Sequence, residues 1–117
     1  MSIKLPANPY GAECPSRQLL EIIGGKWSLL ILPALLDGPK RNSELMRKIE
    51  GISQKMLSQT LRSLEDAKLV HRHDYGEVPP RVDYRLTEHG KSLVGIVAQL
   101  DQWVIDHYET VIQREQN

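Results

Sequence analysis

The sequence predicts a mainly α domain that carries one β-hairpin, and three observations support this fold class. Apolar residues recur at helical spacing in four segments before Leu69. From Leu69 to Leu86 the period changes to alternation, which is typical of half-buried strands. Helical spacing then returns in a long apolar stripe from Leu93 to Val111. We therefore expect four helices, a hairpin and a fifth helix.

Length and composition limit the classes of protein that the chain can represent. Its 117 residues suit one domain with one core. The single cysteine, Cys14, excludes an intramolecular disulfide and a four-cysteine zinc site, which fits a reducing compartment. The longest apolar run, residues 29–36, is too short for a membrane span, and no secretory signal opens the chain. We expect a cytoplasmic protein without a membrane partner.

The first segments predict a flexible arm and two helices. Residues 1–13 lack periodicity, so we expect a flexible arm before a domain that covers residues 14–117. Pro15 suits the first turn of a helix, with Cys14 or Ser16 near the cap. A second helix follows from Trp27, and Pro33 predicts a kink within it.

The next segments predict two helices joined by a short turn. Asn42 or Ser43 can cap the third helix, which ends at Gly51. Ser53 can cap a fourth helix over about residues 53–68. One side of this helix is apolar, with Met56, Leu57, Leu61 and Leu64, and the opposite side is polar and basic, with Lys55, Ser58, Gln59 and Arg62.

The hairpin is expected over about residues 69–86, followed by a helix over about residues 88–114. Val82, Tyr84 and Leu86 alternate with Arg81, Asp83 and Arg85, so the second set is expected on the polar face. Thr87 can cap the last helix. Its stripe of Leu93, Ile96, Val97, Leu100, Trp103, Val104 and Val111 either completes the core or contacts a second subunit.

Charge is distributed unevenly although the 15 basic and 15 acidic residues cancel. Residues 40–91 hold 11 basic and eight acidic side chains, whereas only Arg114 is basic beyond residue 91. A basic excess within one segment can form an electrostatic footprint for a polyanion.

Two short helices, a turn at residues 50–52 and a hairpin follow the order of a winged helix-turn-helix. An α-helix fits the major groove of DNA, where Gln and Arg read base edges and Lys and Ser hold phosphates. The predicted DNA-binding residues are Ser53, Gln54, Lys55, Ser58, Gln59, Arg62, Arg72, Arg81 and Arg41. The alternative is that the charged face only solvates an exposed helix, and the hairpin with its basic neighbours argues against that.

An ordered series of segments carries a family resemblance over roughly residues 14–107. These include Cys14-Pro15, Gly24-Gly25-Lys26-Trp27, Gly38-Pro39-Lys40-Arg41, Gly51-Ile52-Ser53, Leu61-Arg62-Ser63-Leu64-Glu65, Val78-Pro79-Pro80-Arg81-Val82-Asp83-Tyr84 and Leu86-Thr87-Glu88-His89-Gly90. The chain resembles the HxlR-type branch of the MarR-like transcription regulators. Asn42 departs from the pattern, because the family usually has an aromatic residue there, which leaves the local packing of the third helix open.

The resemblance implies a transcription regulator that binds double-stranded DNA as a homodimer, with two reading helices at a near-palindromic operator. The expected dimer residues are Leu19, Leu20, Leu100, Trp103, Val104, Tyr108 and Val111. A winged helix that docks only proteins remains the alternative function.

Cys14 is open to two interpretations. Its place at a helix start, with Arg17 nearby, favours a reactive thiolate, and some relatives sense electrophiles or oxidants through a cysteine there. A small buried residue at the helix start is the other interpretation.

The remaining polar motifs give no enzyme or cofactor signal. His71 and His73 share one strand face and could chelate a metal if a third ligand approached, but none is evident. His89 and His107 are interpreted as structural residues. Because the sequence has no phosphate-binding loop, nucleophile elbow or metal-ligand cluster, we expect no catalytic activity, no metal and no cofactor.

Overall fold

The computed structural model describes residues 10–112, which form five helices and one antiparallel hairpin. The helices are α1 (Pro15–Ile23), α2 (Lys26–Ala34), α3 (Asn42–Lys48), α4 (Gln54–Asp66) and α5 (Glu88–Ile112). The strands are β1 (Val70–Asp74) and β2 (Val82–Leu86). The expected fold class, mainly helical with a hairpin wing, is confirmed. The flexible arm predicted for residues 1–13 lies largely outside the described residues.

The core is built from apolar side chains of all the elements except α1. Fully buried residues come from α2 (Ile31, Leu32), α3 (Leu45), α4 (Leu57, Leu61, Leu64), β1 (Val70) and α5 (Val94). Ile22 and Ile23 of α1 pack only partly against this cluster. The helix-turn-helix and the wing therefore share one core, which holds them in a fixed relative position.

Two side-chain caps that the sequence predicted are confirmed. The Ser53 hydroxyl accepts a hydrogen bond from the Met56 backbone N–H at 3.0 Å at the start of α4. The Thr87 hydroxyl accepts from the Gly90 N–H at 3.1 Å and donates to the Lys68 carbonyl at 2.6 Å. Each cap satisfies an N–H group that has no partner within the helix.

The cap predicted for α3 is wrong. Arg41, not Asn42 or Ser43, is the N-cap residue, and its backbone N–H donates to Glu44 Oε1 at 2.7 Å. Glu44 takes this position because a glutamate three residues into a helix can reach back to the N-cap N–H. The side chain that fixes the start of α3 therefore belongs to Glu44, three residues after the N-cap residue Arg41, and not to the N-cap residue itself.

The hairpin is anchored to the helix-turn-helix by main-chain bonds. β1 pairs with β2 in a register that runs from Val70 opposite Leu86 to Asp74 opposite Val82. On the other side of β2, Lys40 N donates to Tyr84 O at 3.0 Å, and Tyr84 N donates to Lys40 O at 2.8 Å. These two bonds place the start of α3 beside the wing.

Helix α5 is divided between two environments. Gly90, Val94 and Val97 in its first half are buried, whereas every residue from Leu100 to Ile112 is exposed. The monomer core therefore uses only the first three turns. Over residues 10–112, no helix has the length and apolar character that a membrane span requires.

Candidate nucleic-acid interface

The outer face of α4 is polar and exposed because the inner face is held by leucines. Leu57, Leu61 and Leu64 are 0–1 % exposed and fix the helix on the core. Met56 was expected on the same apolar stripe but is 37 % exposed, because it lies at the edge of a cleft between α1 and α4. The predicted reading residues are all exposed, namely Ser53, Gln54, Lys55, Ser58, Gln59 and Arg62.

These side chains form one surface with hydrogen-bonding capacity left over. Lys55, Ser58, Gln59, Arg62 and Ser63 line a shallow depression of about 450 Å³. Gln54 Nε2 donates to Ser58 Oγ at 2.9 Å, which orders the first turn of the face. Among the described residues, Lys55 and Arg62 form no ion pair. Both cations are therefore available to an anionic partner.

The turn that presents α4 depends on a glycine. Gly51 has φ +90°, a left-handed conformation that side chains with a Cβ rarely adopt, and it lies between the end of α3 and the Ser53 cap. A substitution at this position would strain the turn and change how α4 is presented.

The wing carries Arg72 and Arg81 as exposed side chains, as the sequence predicted. Arg72 lies opposite Tyr84 in the hairpin register. The Arg81 guanidinium carbon lies 4.2 Å from the centre of the Tyr75 ring. Stacking on an aromatic face orders the guanidinium while leaving its N–H groups directed outward.

Asp83 is the largest departure of the wing from expectation. Strict alternation assigned it to the polar face, but it is only 5 % exposed. Its Oδ2 accepts from the Tyr75 hydroxyl at 2.6 Å, and its Oδ1 accepts from Arg85 Nη2 at 3.0 Å. Burial opposes its ionisation, but the bonds from Tyr75 and Arg85 outweigh burial and lower the pKa of Asp83 below its ordinary value.

Tyr75 and Arg85 complete a polar cluster that the sequence analysis did not identify. Arg85 Nη2 also donates to the Tyr75 hydroxyl at 3.3 Å. The hydrogen bond to Asp83 is the main reason that the pKa of Arg85 is raised. We call Tyr75, Asp83 and Arg85 the wing cluster. The signal that could have revealed it is the spacing of Asp83 and Arg85, which lie two residues apart and so place polar side chains on one face of β2.

Arg41 lies beside the wing rather than beside α4. It shares with Arg81, Tyr75 and Asp83 the lining of a polar pocket between the start of α3 and the hairpin. The neighbouring Lys40 side chain is bound to Asp37 at 2.7 Å, and this bond lowers the pKa of Asp37. The structure thus separates the predicted DNA-binding residues into an α4 surface and a wing surface.

The residues expected at a dimer interface are exposed in the monomer. Leu19 and Leu20 on α1 and the five on α5 range from 43 to 57 % exposed, the α5 residues being Leu100, Trp103, Val104, Tyr108 and Val111. Trp103 stacks on His107 at 4.5 Å, and His107 Nδ1 lies 2.8 Å from the Trp103 carbonyl oxygen.

Cys14 is the N-cap residue of α1 and Pro15 the first helical residue. Its side chain is half-buried, and its carbonyl oxygen accepts hydrogen bonds from the N–H groups of Arg17 and Gln18. The Arg17 guanidinium contacts Glu21 at 3.5 Å and donates to the Tyr10 carbonyl at 3.3 Å. Part of its charge is therefore compensated by Glu21.

The wing histidines are not arranged as a metal site. The rings of His71 and His73 lie 6.1 Å apart, and His73 packs edge-on against Tyr75. Between residues 10 and 112, no three potential ligands approach closely enough to hold a metal ion.

The fold, with the exposed polar face of α4, is that of helix-turn-helix transcriptional regulators. Residues 22–112 match the model of the HxlR-like helix-turn-helix family. The chain belongs to that family. It is 57 % identical over 91 residues to the uncharacterised HTH-type transcriptional regulator YkvN of Bacillus subtilis (strain 168), covering 78 % of this chain and 77 % of YkvN.

Solved structures of similar proteins agree with this assignment. The transcriptional regulator YtfH from Salmonella typhimurium superposes with a TM-score of 0.86 at 39 % identity, covering 94 % of this chain and 98 % of that one. The redox regulator HypR in its reduced form gives a TM-score of 0.76 at 40 % identity, covering 83 % and 96 %. The chain is thus a transcriptional regulator of the helix-turn-helix type.

Proposed function

We propose that this regulator binds a specific duplex operator as a homodimer, with α4 in the major groove and the wing on the DNA backbone or in the minor groove. The observation that carries the proposal is the outer face of α4. Its polar side chains are exposed and its two cations are unpaired within residues 10–112, while three buried leucines hold the helix rigidly. A rigid scaffold is what base readout requires, because hydrogen bonds to base edges depend on position.

The assignment of roles follows from side-chain chemistry. Gln54, Lys55, Gln59 and Arg62 have the groups that hydrogen-bond base edges. Ser53 and Ser58 are assigned to phosphates. Arg41, Arg72 and Arg81 are assigned to the backbone or the minor groove, where a cation contributes affinity with little sequence information.

Selection of bound fragments from random duplex DNA tests the reading function. We expect one enriched near-palindrome whose half-sites lie about 34 Å apart, or a multiple of that distance, because two-fold related helices must enter successive major grooves. Affinity for this site should fall steeply as the salt concentration rises, because phosphate contacts release counterions. A module that docks only proteins would enrich no sequence.

The exposed apolar surface supports the homodimer. The first half of α5 already fills the core, whereas the apolar residues from Leu100 to Val111, with Leu19 and Leu20 on α1, remain 43 to 65 % exposed in the monomer. Exposed apolar surface of this kind is typical of an interface between subunits. The alternative, that the whole stripe completes the monomer core, disagrees with the exposure of its second half.

Sedimentation at micromolar concentration tests the dimer with a matched pair of variants. Val104→Lys places a cation within the apolar surface, so we expect it to shift the protein to monomer. Gln102→Lys adds the same charge beside Asp106, which Gln102 already contacts at 2.9 Å, and should remain dimeric. Only monomer in the wild type would contradict the proposal.

Cys14 is proposed as a thiol that changes operator affinity when it is modified. It is the N-cap residue of α1, the helix that carries Leu19 and Leu20 of the proposed dimer surface, and the positive end of a helix dipole is a common position of reactive cysteines. HypR, a structural neighbour, is named a redox regulator and has been solved in reduced and oxidised forms. In this scheme the Cys14 sulfur forms one S–C bond to a quinone ring carbon as a ring C=C π bond breaks. The electron pair and the thiol proton end on the quinone oxygens, so the product is a hydroquinone thioether, and the modified α1 changes the geometry of the dimer.

Operator binding before and after quinone or diamide treatment tests the thiol. We expect wild-type affinity to change and that of Cys14→Ser to stay constant. Diamide would take two electrons and two protons from two Cys14 thiols, one on each of two chains, and leave a disulfide and the reduced hydrazine, so reductant should restore the starting affinity. Equal behaviour of wild type and Cys14→Ser would show that Cys14 is a structural residue.

A further inference from the structure

A polar pocket lies between the start of α3 and the wing, apart from the reading face of α4. Its volume is about 520 Å³. We call it the junction pocket, and its lining residues are Pro39, Arg41, Ser43, Glu44, Arg47, Tyr75, Arg81 and Asp83. The two bonds between Lys40 and Tyr84 create it, because they hold the first turn of α3 against β2.

The acidic groups of the junction pocket are already engaged. Glu44 Oε1 accepts a hydrogen bond from the Arg41 backbone N–H. The two carboxylate oxygens of Asp83 accept hydrogen bonds from the Tyr75 hydroxyl and from Arg85 Nη2. Among residues 10–112, Arg41, Arg47 and Arg81 have no carboxylate within ion-pair distance. Three guanidinium groups therefore outnumber the two carboxylates of the pocket, Glu44 and Asp83, and the charge of Asp83 is matched by Arg85.

One of the three arginines is held in place before any ligand binds. Arg81 stacks on the Tyr75 ring, and the Tyr75 hydroxyl is fixed by Asp83, which Arg85 binds in turn. A guanidinium positioned in this way loses little conformational freedom when it forms a bidentate contact. Arg groups that converge on one point fit the tetrahedral oxygens of a phosphate.

We propose that the junction pocket binds one backbone phosphate of the operator, held jointly by Arg41 and Arg47 of the α3 side and by Arg81 of the wing. The proposal rests on the proposed DNA-binding function. It adds Arg47, which has no assigned role in base reading, and it makes Tyr75 the positioning residue for Arg81. A phosphate held between α3 and the wing would fix the register of the protein on the duplex without reading sequence.

Methylphosphonate scanning of the selected operator tests the shared phosphate. Each variant duplex replaces one charged phosphate by a neutral methylphosphonate. For wild type we expect one position in each half-site where the replacement weakens binding about tenfold, the size of a lost charge-assisted hydrogen bond. The same replacement should cost less in Arg47→Ala and in Arg81→Ala than in wild type, because each variant removes one of the three guanidinium groups that hold the phosphate.

A neighbouring variant supplies the control. Lys48→Ala also removes a cation from α3, but Lys48 lines a different groove with Leu30 and Pro33. It should keep the full methylphosphonate effect at the shared position. If Arg47→Ala and Arg81→Ala reduce the methylphosphonate effect at different operator positions, the two arginines hold separate phosphates. That result would contradict the shared phosphate in the junction pocket but not DNA binding itself. If the wild-type protein bound no duplex specifically, the proposed function itself would be refuted.

The positioning role of Tyr75 has a readout of its own. In Tyr75→Leu the ring beneath Arg81 is lost, so the methylphosphonate effect at the shared position should fall while the effects at phosphates contacted by α4 persist. Tyr75→Phe keeps the ring and should retain most of the effect. A Tyr75→Leu protein that melts at a lower temperature yet keeps the full effect at this position would show that Tyr75 is only structural.

Discussion

Helix α4 and the wing hold their exposed cations in place by different interactions, apolar packing in α4 and hydrogen bonding in the wing. The outer face of α4 rests on Leu57, Leu61 and Leu64, all buried in the common core. Arg81 of the wing rests on a ring that is fixed by a buried carboxylate and its hydrogen bonds. Apolar anchoring does not depend on pH, whereas a buried carboxylate contributes only while it is ionised.

The difference also separates the proposed tasks. A reading helix must keep its donors in fixed positions relative to base edges, and close packing provides that rigidity. A two-stranded wing buries too little apolar surface to be rigid in this way. Hydrogen bonds in the wing cluster therefore hold the exposed Arg81 in position, as the buried leucines hold the outer face of α4. The following variants test this contrast, from the largest expected effect to the smallest.

Leu61→Ala should have the largest effect, because it opens a cavity under the reading helix. We expect the free energy of unfolding to fall by about 2–5 kcal/mol, as for other buried leucines. The loss should be equal at neutral and acid pH in denaturant titrations. Met56→Ala is the control on the same helix, and since Met56 is partly exposed its cost should stay below about 1 kcal/mol. Equal losses for both variants would show that the helix is not anchored as described.

Arg62→Ala should sharply reduce the discrimination between operator and random DNA. A bidentate contact to a base contributes about 1–3 kcal/mol of discrimination, so the affinity ratio should drop about 5- to 150-fold. Competition binding at constant salt measures the ratio. Lys91→Ala removes a cation on α5 and should leave the ratio unchanged. Equal weakening on both sequences would identify Arg62 as a phosphate contact.

Asp83→Asn should weaken the wing in a pH-dependent manner. The pKa of Asp83 is lowered in the folded protein, so ionised Asp83 contributes stability above the unfolded value of about 3.9, and this contribution is lost as pH falls through the folded value. We expect the variant to be about 1–2 kcal/mol less stable at pH 7, with the difference shrinking below about pH 4. Thermal unfolding at a series of pH values measures it, and a constant difference would contradict the mechanism.

Arg81→Ala should have the smallest effect and the least sequence dependence. Binding to operator and to random DNA should weaken alike, and the slope of log affinity against log salt should fall by about one. Salt titrations with both duplexes test this expectation. A change in the affinity ratio would mean that Arg81 reads sequence, which would remove the contrast between wing and helix.

Local pattern was sufficient for α4, apart from the exposed Met56, and failed for the wing cluster. The apolar positions of α4 lie three and four residues apart, so its buried and exposed faces can be assigned from the sequence without knowing what it packs against. In the hairpin, alternation assigns Asp83 to the outer face but cannot show whether that face meets water. Tyr75 and Arg85 hydrogen-bond Asp83 there, and the Lys40–Tyr84 bridge holds the start of α3 beside this face.

The sequence by itself determined the order of the elements, the caps at Ser53 and Thr87 and the composition of the outer face of α4. Each of these depends on neighbours within a few residues along the chain. Only the tertiary structure decided that Asp83 is buried, that Arg41 and Arg81 line one pocket and that the second half of α5 is uncovered. These features depend on contacts between residues distant in the chain, and their positions follow from how the whole core packs.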